Sequence, residues 1–265
     1  MIIVGELINA SRPGLGQMIS QKNEAAIQKL AVEQKEAGAD YLDVNAGTST
    51  RAEADGLAWL VQTVQSAVDT PCCLDSPDPK ALERALAVHR GTALINSISL
   101  EKKRWDGLMP LLKGTDCGIV ALCVSDEGMP QTTDDRLRIA DRLIHGLTAA
   151  GVAPGNIYVD PLVQPISVNP ANGPAFLKTV SEIKSRFPDV RTICGMSNVS
   201  FGLPQRTLIN RTFLPMVVER GLDALILDPG DRRLMSGLRA ALALSDRDPC
   251  ALGYVRAYRE GRLEN

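Results

Sequence analysis

Strand-like and helix-like stretches alternate along almost the whole of this chain, and no other property of the sequence limits its possible folds so tightly. Short runs of aliphatic and β-branched residues fall at Ile2-Leu7, Tyr41-Asn45, Cys72-Asp75, Ala93-Ser97, Ile119-Val124, Ile157-Asp160, Thr192-Met196 and Ala224-Asp228. Between them, apolar residues recur at helical spacing, notably over Glu24-Ala37, Ala52-Val68, Lys80-His89, Arg136-Ala150, Ala175-Arg186 and Leu208-Glu219. About eight such pairs are what a closed (β/α)8 barrel requires, and ~250 residues is its ordinary size. A doubly wound open sheet competes, but no G-x-G-x-x-G follows the first strand. We therefore expect an α/β fold, a (β/α)8 TIM barrel forming one domain over residues 1–265, with a short final helix after Pro249. Gly38, Gly118 and Gly221 stand where helices hand over to strands and are expected to be C-terminal caps.

A hydrophobic content of 45% with only 4% aromatic residues leaves aliphatic side chains to fill the core. The formal net charge of -2 offers no electrostatic footprint for nucleic acid or an anionic membrane. Met1-Ile2-Ile3-Val4-Gly5 enters a strand without a charged leader, and no apolar run approaches the ~20 residues that span a bilayer. A cytoplasmic location is expected. The six cysteines contain no C-x-x-C pair and lie mostly in apolar runs, as small reduced core residues do. Cys72-Cys73 is the best zinc candidate, yet neighbours on a strand point to opposite faces, so no metal site is expected. His89 and His145 fall in helical patterns and read as ordinary solvated or structural residues.

The carboxyl ends of the strand-like runs carry Glu6, Asp43 with Asn45, Asp75, Asn96, Asp160, Ser197 with Asn198, and Asp228. In a barrel these ends converge on one mouth, where chemistry is done. Any single Asp or Asn there can equally cap the next helix or shape a turn. A mouth lined by carboxylates and amides suits a neutral ligand rich in donors, such as a pterin, whose amino group and adjacent ring N–H a carboxylate can accept as a pair.

Gly195-Met196-Ser197-Asn198-Val199-Ser200 is followed by Arg206 and Asn210-Arg211-Thr212-Phe213. Together with Gly5-Glu6-Leu7-Ile8-Asn9, Leu74-Asp75-Ser76, Leu94-Ile95-Asn96-Ser97 and Val159-Asp160-Pro161, this segment resembles the pterin-binding methyltransferases that move a methyl group between methyltetrahydrofolate and a corrinoid cofactor. Asp126-Glu127-Gly128-Met129-Pro130 leading to Asp134-Asp135-Arg136-Leu137 resembles the same family's loop and helix start after the fifth strand. The resemblance spans essentially the whole chain. It implies a barrel of the pterin-binding type, substrate contacts from Glu6, Asp75, Asn96, Asp160, Ser197 and Arg206, and a catalytic Asn198 that hydrogen-bonds N5 of the folate. It also implies methyltetrahydrofolate or tetrahydrofolate as substrate, cobalamin supplied by a partner corrinoid protein, and a homodimer, with the direction of transfer open.

Dihydropteroate synthases share the pocket, but this chain lacks their lysine after the seventh strand and their final Arg-x-His. Methionine synthases share Ser-Asn-Val-Ser but add corrinoid and homocysteine modules, and no D-x-H-x-x-G occurs here. A pterin-binding protein without catalysis would need Asp75, Asn96 and Asp160 but not Asn198. The Pro13-Gly14-Leu15-Gly16 stretch reads as a turn and not as a phosphate loop.

Overall fold

A computed structural model describes residues 1–47 and 53–264. Eight parallel strands close into a barrel in sequence order: β1 (Ile2–Asn9), β2 (Tyr41–Asn45), β3 (Cys72–Asp75), β4 (Leu94–Leu100), β5 (Gly118–Ser125), β6 (Ile157–Asp160), β7 (Arg191–Gly195) and β8 (Ala224–Leu227). The first half of the chain contributes helices α1 (Leu15–Ser20), α2 (Glu24–Glu36), α3 (Glu53–Ala67), α4 (Pro79–Val88) and α5 (Lys102–Leu112). The second half adds α6 (Thr133–Ala149), α7 (Asn172–Arg186), α8 (Arg206–Glu219), α9 (Arg232–Leu244) and α10 (Leu252–Arg259). The tail after Pro249 contains α10, and Ala52 at the expected start of the third helix lies outside the described residues.

Period-two alternation along the strands sets where the site can be. Val4, Cys73, Leu94, Val120, Tyr158, Ile193 and Ala224 form a buried cluster inside the barrel, with Tyr41 packed against it. Moving two residues toward the carboxyl end of each strand gives Glu6, Asp43, Asp75, Asn96, Leu122, Asp160, Gly195 and Ile226. The interior therefore changes from an apolar plug to a mostly polar layer within one pleat. Ile, Leu and Val on the opposite strand faces bury against the helices in two larger clusters, which hold the barrel closed.

Gly38 and Gly221 follow α2 and α8 with φ of 104° and 89°, as caps do. Gly118 is not a cap. It opens β5, and a Cβ there would stand 2.9 Å from Leu94 Cδ1 and 3.1 Å from Tyr158 Cε2, so glycine makes room for the interior plug. Helix α5 is poorly signalled by its sequence because it contains Gly107 and Pro110; burial of Leu108 and Leu112 outweighs their low propensity.

Candidate active site

The polar layer opens into a cavity of about 960 Å³ at the carboxyl ends of the strands, lined among others by Glu6, Asp43, Asp75, Asn96, Ser197, Asn198 and Arg206. Glu6 reaches it through an irregularity in β1, where Gly5 pairs with Leu42 but Ile8 with Val44, so β1 spends an extra residue. Gln34 of α2 holds this bulge by accepting the Leu7 N–H at 3.0 Å. A Cβ on Gly5 would lie 2.4 Å from that same Gln34 Oε1, which explains the glycine ahead of Glu6. Burial raises the Glu6 pKa, and Arg12, whose Nη1 sits 3.3 Å from Glu6 Oε1, partly offsets the rise.

The floor is a network across three strands. Asn45 Nδ2 donates to Asp75 Oδ2 at 2.9 Å, and Asn96 Nδ2 to Asp43 Oδ1 at 3.4 Å. Asp75 is not the cap of α4; Asp78 does that by accepting from the Lys80 N–H at 3.1 Å, which leaves Asp75 in the cavity wall. Asp43 is only 3% exposed. Burial first, and then the charge of Asp75, pushes its carboxyl up to about 8.

Opposite the floor, β7 runs into a 3-10 turn, Met196–Ser200. Met196 and Val199 are buried in the apolar core, which leaves Ser197 and Asn198 to project from the turn into the cavity. Arg206, the first residue of α8, clamps the turn: Nη2 donates to the Ser197 carbonyl at 2.7 Å and Nε to Ser200 Oγ at 3.1 Å. Its carbon Cζ also lies 5.8 Å from the centroid of the Phe201 ring, which is 62% exposed.

Asp160 ends β6 in the same interior layer but is not among the residues lining the cavity. It is 9% exposed, and one oxygen accepts the Leu162 N–H at 2.8 Å. Burial pushes its pKa up to about 7. The loop beyond it is tied down by Arg136, a fully buried side chain donating to the Pro161 carbonyl and Gln164 Oε1, each at 3.1 Å.

Several residues of the motifs serve the fold. Asp135 completes a capping box with Thr132 at the start of α6, and Asp126 accepts the Lys102 N–H ahead of α5. Asp228 accepts the Gly230 N–H within a turn, and Arg211 pairs with Asp231, the cap of α9. His89 accepts the Cys72 N–H at 2.9 Å. The cysteines carry no disulfide, and no group of three or more potential ligands fit to hold a metal ion occurs among the described residues.

The cavity also contains Asp43, which sequence reasoning placed at the mouth without giving it a role, and Asn9, Arg12, Thr207 and Asn210, which it did not assign there. Asp43 was legible as a strand end; Thr207 and Asn210 come from a helix face, which strand-end reasoning does not reach. Asn210 Oδ1 is buried and has no hydrogen-bond partner among the described residues.

The model of the pterin binding enzyme family matches residues 10–228 of this chain. The chain belongs to that family. It is 34% identical to a methylcorrinoid:tetrahydrofolate methyltransferase of Eubacterium limosum over 99% of its own length and 98% of the relative's. A methionine synthase of Mycobacterium tuberculosis is 29% identical over 86% of this chain, which spans only 20% of that longer protein. Among solved structures, a dihydropteroate synthase of Yersinia pestis superposes with a TM-score of 0.72 at 15% identity, covering 94% of both chains. One from Coxiella burnetii gives 0.70 at 15%, covering 92% of this chain and 91% of its own. At such identity these structures speak for the barrel of the pterin-binding enzymes alone.

Proposed function

We propose that the protein is a methyltransferase that moves a methyl group between the cobalt of a corrinoid protein and N5 of tetrahydrofolate. The observation that carries this reading is that Asn198, on the turn after β7, faces the same cavity as Asp75 and Asn96 on the floor. The full-length relative is named for transfer from a methylcorrinoid to tetrahydrofolate, and we assign the same direction here.

The cavity has the size of a small-molecule site, and its carboxylates and amides suit the mixed donor and acceptor edge of a pterin. Asp75, Asn96 and Glu6 would orient the ring, with Ser197 and Arg206 at the turn. Asn198 carries a donor and an acceptor on one side chain and can hydrogen-bond N5 while its charge changes. N5 loses its proton as it gains the methyl group. Asp160, which titrates near neutrality, is suited to take that proton through a water. The partner's corrinoid supplies the methyl group. We further assign this one-carbon transfer to the cytoplasm and to a homodimer; a groove of about 630 Å³ between α7 and α8, with Leu177, Ile209 and Met216 in its walls, supports the pairing.

The test mixes the protein with tetrahydrofolate and a methylated corrinoid protein while cobalt absorbance is followed. Loss of the methylcobalt spectrum with appearance of methyltetrahydrofolate is expected. Folate binding without transfer from either side would identify a non-catalytic pterin-binding protein. Condensation of a pterin diphosphate with p-aminobenzoate would identify a synthase.

A further inference from the structure

We propose that Asp43, which no sequence motif brought forward, is a positioning residue that fixes which end of the Asn96 amide meets the ligand. The proposal rests on the folate reading only for the identity of that ligand.

The two ends of an amide have almost the same shape, so only hydrogen-bond partners decide its orientation. Here Asn96 Nδ2 is turned toward Asp43 Oδ1, and its carbonyl oxygen is left to accept an N–H from the ligand. Asp43 lines the cavity while remaining 3% exposed, so it acts from behind Asn96.

The groups that face Asp43 are Glu6 from β1, Cys73 and Asp75 from β3, and Asn96 from β4. The charges among them are negative, and a buried carboxyl beside another carboxylate resists ionisation near neutral pH. Asp43 is buried, and burial together with the neighbouring Asp75 charge favours its protonated form. A neutral carboxyl still has a carbonyl oxygen to accept from Asn96, so the orientation does not depend on ionisation. A ligand that covers the cavity removes more water from Asp43 and raises the cost of its charge. Binding is therefore linked to the Asp43 proton: affinity is steady below its pKa and falls above it.

The experiment combines carboxyl 13C NMR of the free protein with methyltetrahydrofolate titrations from about pH 6 to 9.5, for wild type, Asp43→Asn and Asp43→Ala. In wild type, Asp43 should titrate far above ordinary carboxylates, and affinity should fall toward about tenfold per pH unit beyond that point. Asp43→Asn, with its NH2 toward Asp75 and its carbonyl toward Asn96, should bind within about threefold of wild type at pH 7 and lose the pH dependence. Asp43→Ala should bind about tenfold more weakly, and adding Asn96→Ala should cost little more. Titration of Asp43 in the usual carboxylate range would overturn the proposal, as would a wild-type pH profile in Asp43→Asn or wild-type affinity in Asp43→Ala. Should Asp43→Ala not fold, the isosteric Asp43→Asn decides. If wild type binds no folate at any pH while the Asp43 titration shifts the Asn96 side-chain amide resonances, the folate reading fails and the positioning role stands.

Discussion

Arg206 Nη2 donates to the Ser197 carbonyl at 2.7 Å, so the residue ahead of Asn198 is held by the helix that follows the turn. With Nε on Ser200 Oγ, the guanidinium fixes both sides of Asn198 at once. A lysine has the charge but not the planar fork. Arg206→Lys should lower kcat more than it raises KM, because it loosens the turn without removing a floor contact. Equal kcat with a raised KM, measured in steady-state transfer, would instead assign Arg206 to the folate tail.

Asp75→Ala and Asn96→Ala should chiefly weaken folate binding, since the contact we assign to each is made before and during transfer. Asn198→Ala should also slow transfer from the bound complex, by about 2 to 4 kcal/mol in barrier. Single-turnover transfer at saturating folate separates the two. An Asn198→Ala protein that transfers at the wild-type rate once saturated would reduce Asn198 to a pocket group.

Asp160 gives the fold a pH dependence of known sign. Its pKa is raised by burial from 3.8 to about 7, so between those values the folded state binds more protons than the unfolded one. Its contribution to stability therefore falls as pH rises through that window, by up to about 1.4 kcal/mol per pH unit. Asp160→Asn should flatten the decline in Tm between about pH 4 and 7 and raise Tm at the upper end. Thermal unfolding followed by circular dichroism at several pH values checks this; an unchanged slope would mean that water reaches Asp160 in solution.

Gly5→Ala would drive a methyl group into the Gln34 carbonyl that pins the β1 bulge. Such overpacking costs about 1 to 3 kcal/mol, and the displaced bulge carries Glu6 with it. Chemical denaturation should give a lower midpoint together with weaker folate binding. A stability loss with binding unchanged would separate the bulge from the site.

Strands and helices were legible in the sequence because their signals are local: short apolar runs placed β2, β3 and β6 to the residue, and eight repeats implied closure. The strand ends were legible for the same reason, which is why Glu6, Asp75, Asn96 and Asn198 could be named and are found around one cavity. Whether a polar strand end faces a ligand or serves the chain depends on which N–H and carbonyl groups arrive from elsewhere. Asp228 meets the Gly230 N–H and Asp126 the Lys102 N–H, whereas Asp78 relieves Asp75 of capping. The same holds for Asp160, closed over by a loop that the buried Arg136 anchors, and for Asp43, whose pKa is raised by burial first and then by Asp75 on the neighbouring strand. The sequence by itself determined the barrel and the ring of polar strand ends. Only the tertiary structure decided which of them line the cavity and which stay protonated, because burial and neighbouring charge are set by residues distant in the chain.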